Sequence, residues 1–351
     1  MSTIAVNAIT NAAGGNTATI NGMTPTAQSL QGFRNRIING DMRIDQRNAG
    51  AAVTANPAFP VDRFAVGEDT AGAYSAQQDS SAPAGFVNSL KFTTTTADTS
   101  IAAADISFVR QFVEGTNVSD LAWGSANAKT VTLSFWVRSS LTGTFGGAIV
   151  NSAYNRSYPF TYTISVADTW EYKTVTIPGD TSGTWLTTTG IGLRIYWDMG
   201  TGTDNTGTAD AWVGAGNVGV DGTVAVIGTL NATWYITGVQ LEAGSVATPF
   251  ERRPYGTELQ LAQRYYERIV SGGTLYVARV SGVQTYWIGN YKASKRAVPT
   301  VSLPAVNTAS DSTSHTPAAM NSTEYGSWYA TLGGSLTNNV NSFTFVADAE
   351  L

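Results

Sequence analysis

The chain has no cysteine and a single histidine, and charged residues fill only 13% of its 351 positions. Lack of cysteine removes disulfides, thiolate nucleophiles, Cys-based zinc sites and iron–sulfur clusters, so stability has to come from packing, within the chain or between chains. One histidine, His315, leaves any Ser-His-Asp or imidazole acid–base scheme a single residue to use. It lies in the polar run Asp311-Ser-Thr-Ser-His-Thr-Pro317, and no Gly-x-Ser-x-Gly elbow occurs to pair with it. No cluster of four or more Lys/Arg is present and the net charge is −5, which excludes a nucleic-acid footprint. No eighteen apolar residues run together, and the first twenty residues lack a basic region followed by an apolar core; neither membrane insertion nor a signal peptide is expected.

Metal and phosphate patterns are also missing. There is no Asp-x-Asp-x-Asp-Gly loop, and Asp204, Asp210 and Asp221 are widely and irregularly spaced. The glycine-rich run Val213–Gly219 has no following lysine to cradle a phosphate. No metal and no cofactor is expected. A glycosidase needs only two carboxylates, and Glu114, Asp120, Glu171 and Asp198 are available, but sequence places no two of them at a working separation. No enzyme activity is expected.

What is abundant is apolar and aromatic. Hydrophobic residues make up 42% of the chain, with nine Trp, fifteen Tyr and thirteen Phe, enough apolar area to bury cores in two or three domains. Residues 1–33 are small and polar and read as an arm. From 34 to 253, short apolar alternations are cut by Gly, Pro and Asn/Asp turns, the pattern of antiparallel sheets with one buried face. Val131–Arg138 shows it best: Val131, Leu133, Phe135 and Val137 share one face, and Thr132, Ser134, Trp136 and Arg138 the other. Further strands are predicted at Asp62–Val66, Ser89–Thr93, Ser107–Val113, Glu171–Ile177, Gly190–Trp197 and Trp234–Leu241, which together suggest a jelly-roll β-sandwich. Residues 200–226 read as a long loop.

Residues 254–269 read as the one helix, with Pro254 and Thr257 as start signals. Tyr255, Leu259, Ala262, Tyr266 and Ile269 recur at spacings of 4, 3, 4 and 3. That seam could face a symmetry axis, but an amphipathic helix lying on its own sheet is the favoured reading, since two heptads are too few to prove a coiled coil. Residues 270–351 return to strands at Thr274–Val280, Thr285–Tyr291, Thr300–Leu303, Ser327–Leu332 and Ser342–Val346, a smaller C-terminal β domain whose Asn307–Thr316 segment reads as a polar loop suited to recognition. The fold class is therefore all-β. Rings in polar surroundings include Trp136, Tyr154, Tyr158, Trp185, Trp197, Trp212, Trp287, Tyr325 and Trp328, and about two-thirds of them are expected to be buried. In the terminal domain Trp287, Trp328, Tyr276 and Tyr325 are the candidate receptor-contacting residues.

Several stretches carry a resemblance: Gly22-Met-Thr-Pro-Thr26, Ser29-Leu-Gln-Gly-Phe-Arg-Asn-Arg-Ile-Ile-Asn-Gly-Asp-Met42, Thr237-Gly-Val-Gln-Leu-Glu-Ala-Gly-Ser-Val-Ala-Thr-Pro-Phe-Glu-Arg-Arg-Pro254, Gln263-Arg-Tyr-Tyr-Glu267 and the terminal Ala347-Asp-Ala-Glu-Leu351. Over almost its whole length the chain resembles tail fibre and tail-associated proteins of bacteriophages and prophages, cyanophages included. That resemblance implies a virion component made in the host cytoplasm, usually a homotrimer. Its arm would attach to a tail or baseplate protein, and later β domains would project toward a glycan or protein on the host surface. A purely architectural tail or baseplate subunit and a glycan depolymerase are the other readings. Ile38-Asn-Gly-Asp41 and Ile236-Thr-Gly-Val-Gln-Leu-Glu242 also resemble the first and last strands of carbohydrate-binding jelly rolls, although Thr237 and Gly238 stand where calcium-binding acids are common in those modules.

Overall fold

The structure, a computed structural model, describes residues 33–276, 284–309, 312–317, 322–332 and 339–351; the arm read at 1–33 lies outside these residues except for Phe33. The strands of the larger domain are β1 (Ala58–Val61), β2 (Phe64–Asp69), β3 (Ala73–Asp79), β4 (Ser89–Thr96), β5 (Ile106–Glu114), β6 (Val131–Ser139), β7 (Gly143–Val150), β8 (Ser157–Ile164), β9 (Glu171–Ile177), β10 (Ile191–Thr201) and β11 (Thr233–Ala243). They form two antiparallel sheets, ordered β1-β2-β5-β10-β7-β8 and β3-β4-β11-β6-β9. This is a jelly-roll sandwich, and the region 202–232 is a long connection without a regular strand.

The alternation on β6 fixes how the sheets meet. Val131, Leu133, Phe135 and Val137 are completely buried between them, while Trp136 and Arg138 are half-buried on the outer side. Phe135 meets Trp197 of β10 and Tyr162 of β8 edge-on, at 5.8 and 5.1 Å between ring centroids. Phe64, Phe92, Phe145, Phe160 and Trp234 complete the interior. Fully burying rings of this size stabilises by about 1.5–3 kcal/mol each, the scale of driving force a disulfide-free sandwich requires.

Those segments of the sequence resemblance that lie within the described residues form a joint. Asn35 and Arg36 lie against β11, where Leu241 N donates to Asn35 Oδ1 at 3.1 Å and Arg36 N donates to Leu241 O at 2.9 Å. Asn39 Nδ2 donates to the Ile44 and Asp62 carbonyls, at 2.8 and 2.9 Å. A Cβ on Gly40 would overlap the Val239 carbonyl, so only glycine permits this approach. Arg253 donates to the Ile37 carbonyl and to Glu258.

The helix is shorter than its heptad spacing suggests. It is α1 (Tyr255–Gln263), and the chain then enters β12 (Tyr266–Tyr276). Tyr266 and Ile269 are thus strand residues, opposite Asp348 and Phe345 of β17 (Asn339–Asp348). The expected helical seam is corrected: Tyr255 is exposed, while Leu259 and Ala262 pack on Ile38, Ile44 and Tyr265 of the same chain. The physical reason is that Tyr265, Tyr266, Ile269 and Val270 have strand propensity and an antiparallel partner in β17, which overrides a weak local helical preference.

The terminal domain holds two three-stranded sheets, β12-β17-β14 and β13-β16-β15, with β13 (Gln284–Asn290), β14 (Thr300–Ala309), β15 (Ser312–Pro317) and β16 (Tyr325–Leu332). The polar loop expected over Asn307–Thr316 is corrected: β14 runs through Ala309 and β15 begins at Ser312, with His315 opposite Ala330. β-Branched threonine favours strands, at Thr308, Thr313 and Thr316, and polarity alone gave the wrong reading.

Two charge clusters bind this domain to the sandwich. Glu114 of β5 accepts from Arg264 Nε and Nη2, at 2.9 and 2.7 Å, and from Tyr265 OH at 2.8 Å. Burial alone would raise its pKa, but these hydrogen bonds, with that from Thr116, hold the carboxyl below its ordinary value. Arg47 reaches Asp62, Asp348 and Glu350 at 3.3–3.4 Å. Burial pushes Asp62 up to about 6 despite Arg47.

Candidate functional site

The outer face of the five-stranded sheet carries a ring platform. Trp136 of β6 stands opposite Tyr172 of β9, with centroids 5.4 Å apart and planes inclined by 47°. Tyr172 is 43% exposed and Trp136 half-buried, so both offer ring surface to a ligand. The seat under Trp136 is made by Gly238: β11 shifts register between Thr237 and Gln240, Gly238 has φ 63°, and a Cβ there would press on the Trp136 and Phe86 rings. Thr237 is buried, its hydroxyl donating to the Asn88 carbonyl at 2.7 Å. The Thr237-Gly238 pair therefore serves a bulge that seats a ring.

Polar groups continue the same face. Next to Trp136 and Tyr172 along the register come Ser134 with Thr174, then Thr132 with Thr176; Thr174 and Thr176 are exposed, while Ser134 and Thr132 are buried and the Thr132 hydroxyl donates to the Gly244 carbonyl at 2.9 Å. On the other side Trp170 meets Tyr235 edge-on at 6.1 Å, and Tyr235 is flanked by Arg138 and Lys91, 5.1 and 5.5 Å from its ring centroid. Arg138 donates to Ser81 Oγ at 3.0 Å and to Asp168 at 3.2 Å, so its charge is already paired. A flat strip of rings bordered by hydroxyls can stack on the C–H face of a sugar while hydrogen-bonding its edge.

The opposite outer face, on the six-stranded sheet, is built differently. Phe108, Arg110 and Phe112 of β5 and Arg194 and Tyr196 of β10 alternate with core residues and so point outward. Arg110 lies 4.4 and 4.5 Å from the Phe108 and Phe112 ring centroids. Tyr154, 42% exposed, covers Arg194 at 3.9 Å.

Most of the other candidate rings are structural. Trp197 and Tyr158 are buried. Trp185 and Trp212 join Trp123 in a mutual edge-on cluster, 4.8–5.6 Å between centroids, whose indole N–H groups donate to Asp180, the Pro178 carbonyl and the Lys129 carbonyl. They close one end of the sandwich. In the terminal domain Trp287 of β13 stands opposite Trp328 of β16, Tyr325 opposite Asn290, and Tyr276 opposite Asn339 at the end of β12. Tyr325 is 37% exposed. The register thus brings Trp287 and Trp328 together and places Tyr276 on the other sheet.

The four acids considered for glycoside hydrolysis are committed elsewhere. Glu114 holds the inter-domain joint, Asp120 pairs with Arg36 at 2.7 Å, Glu171 pairs with Lys173 at 2.6 Å, and Asp198 is buried among Gly200, Thr201 and Thr223. No group of three or more His, Asp or Glu able to share a metal ion occurs among the described residues.

No protein-family model matches the chain, and no curated protein matches it. Solved structures similar to it include the enzymatically active domain of tailspike protein 4 of bacteriophage CBA120, at 10% identity and TM-score 0.34, covering 60% of this chain and 22% of that one. A family 11 carbohydrate-binding module from Clostridium thermocellum, in complex with a β-1,3-1,4-mixed-linked tetrasaccharide, is 12% identical with TM-score 0.28, covering 56% of this chain and 98% of the module. A CBM4 structure is 14% identical with TM-score 0.28, covering 59% of this chain and 98% of the other. The chain spans about a fifth of the tailspike structure, 22% of its length. These likenesses concern the fold alone, and no residue role is carried over from them.

Proposed function

We propose that this protein is a structural subunit of a phage tail fibre that attaches the particle to its host by holding a surface glycan against the outer face of the five-stranded sheet. The observation that carries the glycan reading is the Trp136–Tyr172 pair, seated on the Gly238 bulge with Tyr172 exposed and Trp136 half-buried, and continued along β9 by the exposed Thr174 and Thr176. Rings left open to water on a sheet face cost solvation that a sugar face restores. The virion role is supported by the whole-chain resemblance of the sequence. A single shallow platform gives weak binding, and several copies in one fibre, a homotrimer being the simplest, raise it by avidity without new contacts.

The test is binding of the full-length protein to host cells and to their isolated surface polysaccharide. Trp136→Ala and Tyr172→Ala should each weaken binding about tenfold or more while the fold is retained. Loss confined to Trp287→Ala and Trp328→Ala moves the contact to the terminal domain. If the unaltered protein binds neither cells nor polysaccharide, attachment is refuted and an architectural tail subunit remains.

A further inference from the structure

On the far side of the sandwich, two guanidinium groups lie close together without an acid. Tyr196 stands opposite Arg110 and Arg194 opposite Phe112, so the two arginines are diagonal neighbours on adjacent strands. Neither forms an ion pair with a carboxylate among the described residues, whereas Arg34, Arg36, Arg43, Arg47, Arg63, Arg138, Arg156, Arg253 and Arg264 all do. Arg194 is bound in place by the Ser152 carbonyl, 2.7 Å from its Nη1, and by the Asn151 carbonyl. Arg110 is held between two phenylalanine rings, with Nη1 donating to Tyr196 OH at 3.2 Å and with its buried Nε unpartnered. Burial lowers the pKa of Arg194, and the charge of Arg110 lowers it further. Carbonyls and rings offset part of the cost of two neighbouring like charges, but no carboxylate among the described residues neutralises either.

Arg110 also lines a cavity of about 30 Å³, together with Pro57, Phe59, Ala65, Phe112 and Leu351. The other charged side chains on its wall, Arg63 and Glu350, are paired with each other, and no ion pair joins the Leu351 carboxylate to Arg110 among the described residues. Arg110 is therefore the one basic group facing the cavity without an acidic partner among the described residues. The volume admits the head of a small oxyanion and is too small for a sugar ring, which would have to remain outside on Phe112 and Tyr154.

We propose that Arg110, supported by Arg194, Phe112 and Tyr154, forms an anion subsite for an acidic sugar, with a carboxylate or phosphate group seated on the Arg110 guanidinium and the sugar ring lying over the neighbouring rings. A guanidinium offers two parallel N–H groups to such an oxyanion, and an aromatic surround strengthens the contact by excluding water. The subsite rests on the glycan-binding reading but occupies the opposite face from Trp136 and Tyr172, so the two can fail separately.

The experiment is calorimetric titration of the full-length protein with a uronic-acid trisaccharide, its neutral hexose counterpart, a sugar phosphate and inorganic phosphate. The expected result is preference for an acidic sugar over the neutral one by about tenfold or more, falling as salt is raised, and lost in Arg110→Gln. Neutral-sugar binding that depends on Trp136 should be unchanged in that variant. The uronate and sugar-phosphate arms decide which oxyanion is taken, and tight binding of inorganic phosphate alone would assign a bare anion site and overturn the sugar. Equal affinity of the unaltered protein for the acidic and neutral trisaccharides, or acidic binding that survives Arg110→Gln, would also overturn the proposal, and the first comparison needs no variant to fold.

Discussion

Replacing Asp198 by asparagine tests whether the six-stranded sheet stores an electrostatic cost in its outer face. Asp198 is 2% exposed on β10, and its partners are all uncharged: Gly200 N at 2.8 Å and Thr201 Oγ1 at 2.7 Å donate to Oδ1, and Thr223 Oγ1 lies 3.3 Å from Oδ2. Burial pushes its pKa from the ordinary 3.8 to about 6. A carboxyl whose folded pKa is raised stabilises the fold most below the unfolded value and loses that contribution as pH rises through the folded one. Moving from 3.8 to about 6 corresponds to about 3 kcal/mol, at about 1.4 kcal/mol per pH unit. Asparagine keeps the shape, accepts the same bonds at Oδ1, and can donate to the Thr223 hydroxyl, which itself donates to the Val220 carbonyl. The wild-type protein should therefore lose stability relative to Asp198→Asn between about pH 4 and about pH 7, by up to ~3 kcal/mol. Urea unfolding of both proteins across that range, followed by tryptophan fluorescence, reads the difference. A difference that stays flat with pH refutes the reasoning, because every other titrating group cancels between the two proteins.

Phe135→Ala should destabilise the sandwich by about 3–5 kcal/mol, since the ring is fully buried between Trp197 and Tyr162, and thermal unfolding would show it. Lys295→Met leaves Glu267 without the ammonium that sits 2.6 Å away in a fully buried pair, and should cost about 3–5 kcal/mol. Adding Glu267→Leu to that variant should restore much of the loss, which a double-mutant cycle in urea unfolding measures.

The sequence by itself determined the strand-dominated class, because period-two alternation needs only local information. Glu171–Ile177 is one strand with the predicted bounds, and the inward set of β6 is the one read from Val131–Arg138. Strands that broke the local pattern escaped notice. β3 is polar and β8 contains Pro159, and both lie at sheet edges, where such residues are tolerated; β7 is diluted by Gly143, Gly146 and Gly147. Composition likewise flagged aromatic residues without sorting them, since a Trp in a core and a Trp on a platform have the same local surroundings in sequence. Alternation had put Trp136 on the outer face of β6, but tertiary structure decided that Trp197 is interior, that Trp136 meets Tyr172, and that the helix ends at Gln263 because β17 supplies a strand partner from more than seventy residues away. It also decided that Arg110 lacks an acid while Arg264 finds Glu114, 150 positions distant. Charge pairing and burial depend on contacts between residues far apart in the chain, and no local periodicity encodes them.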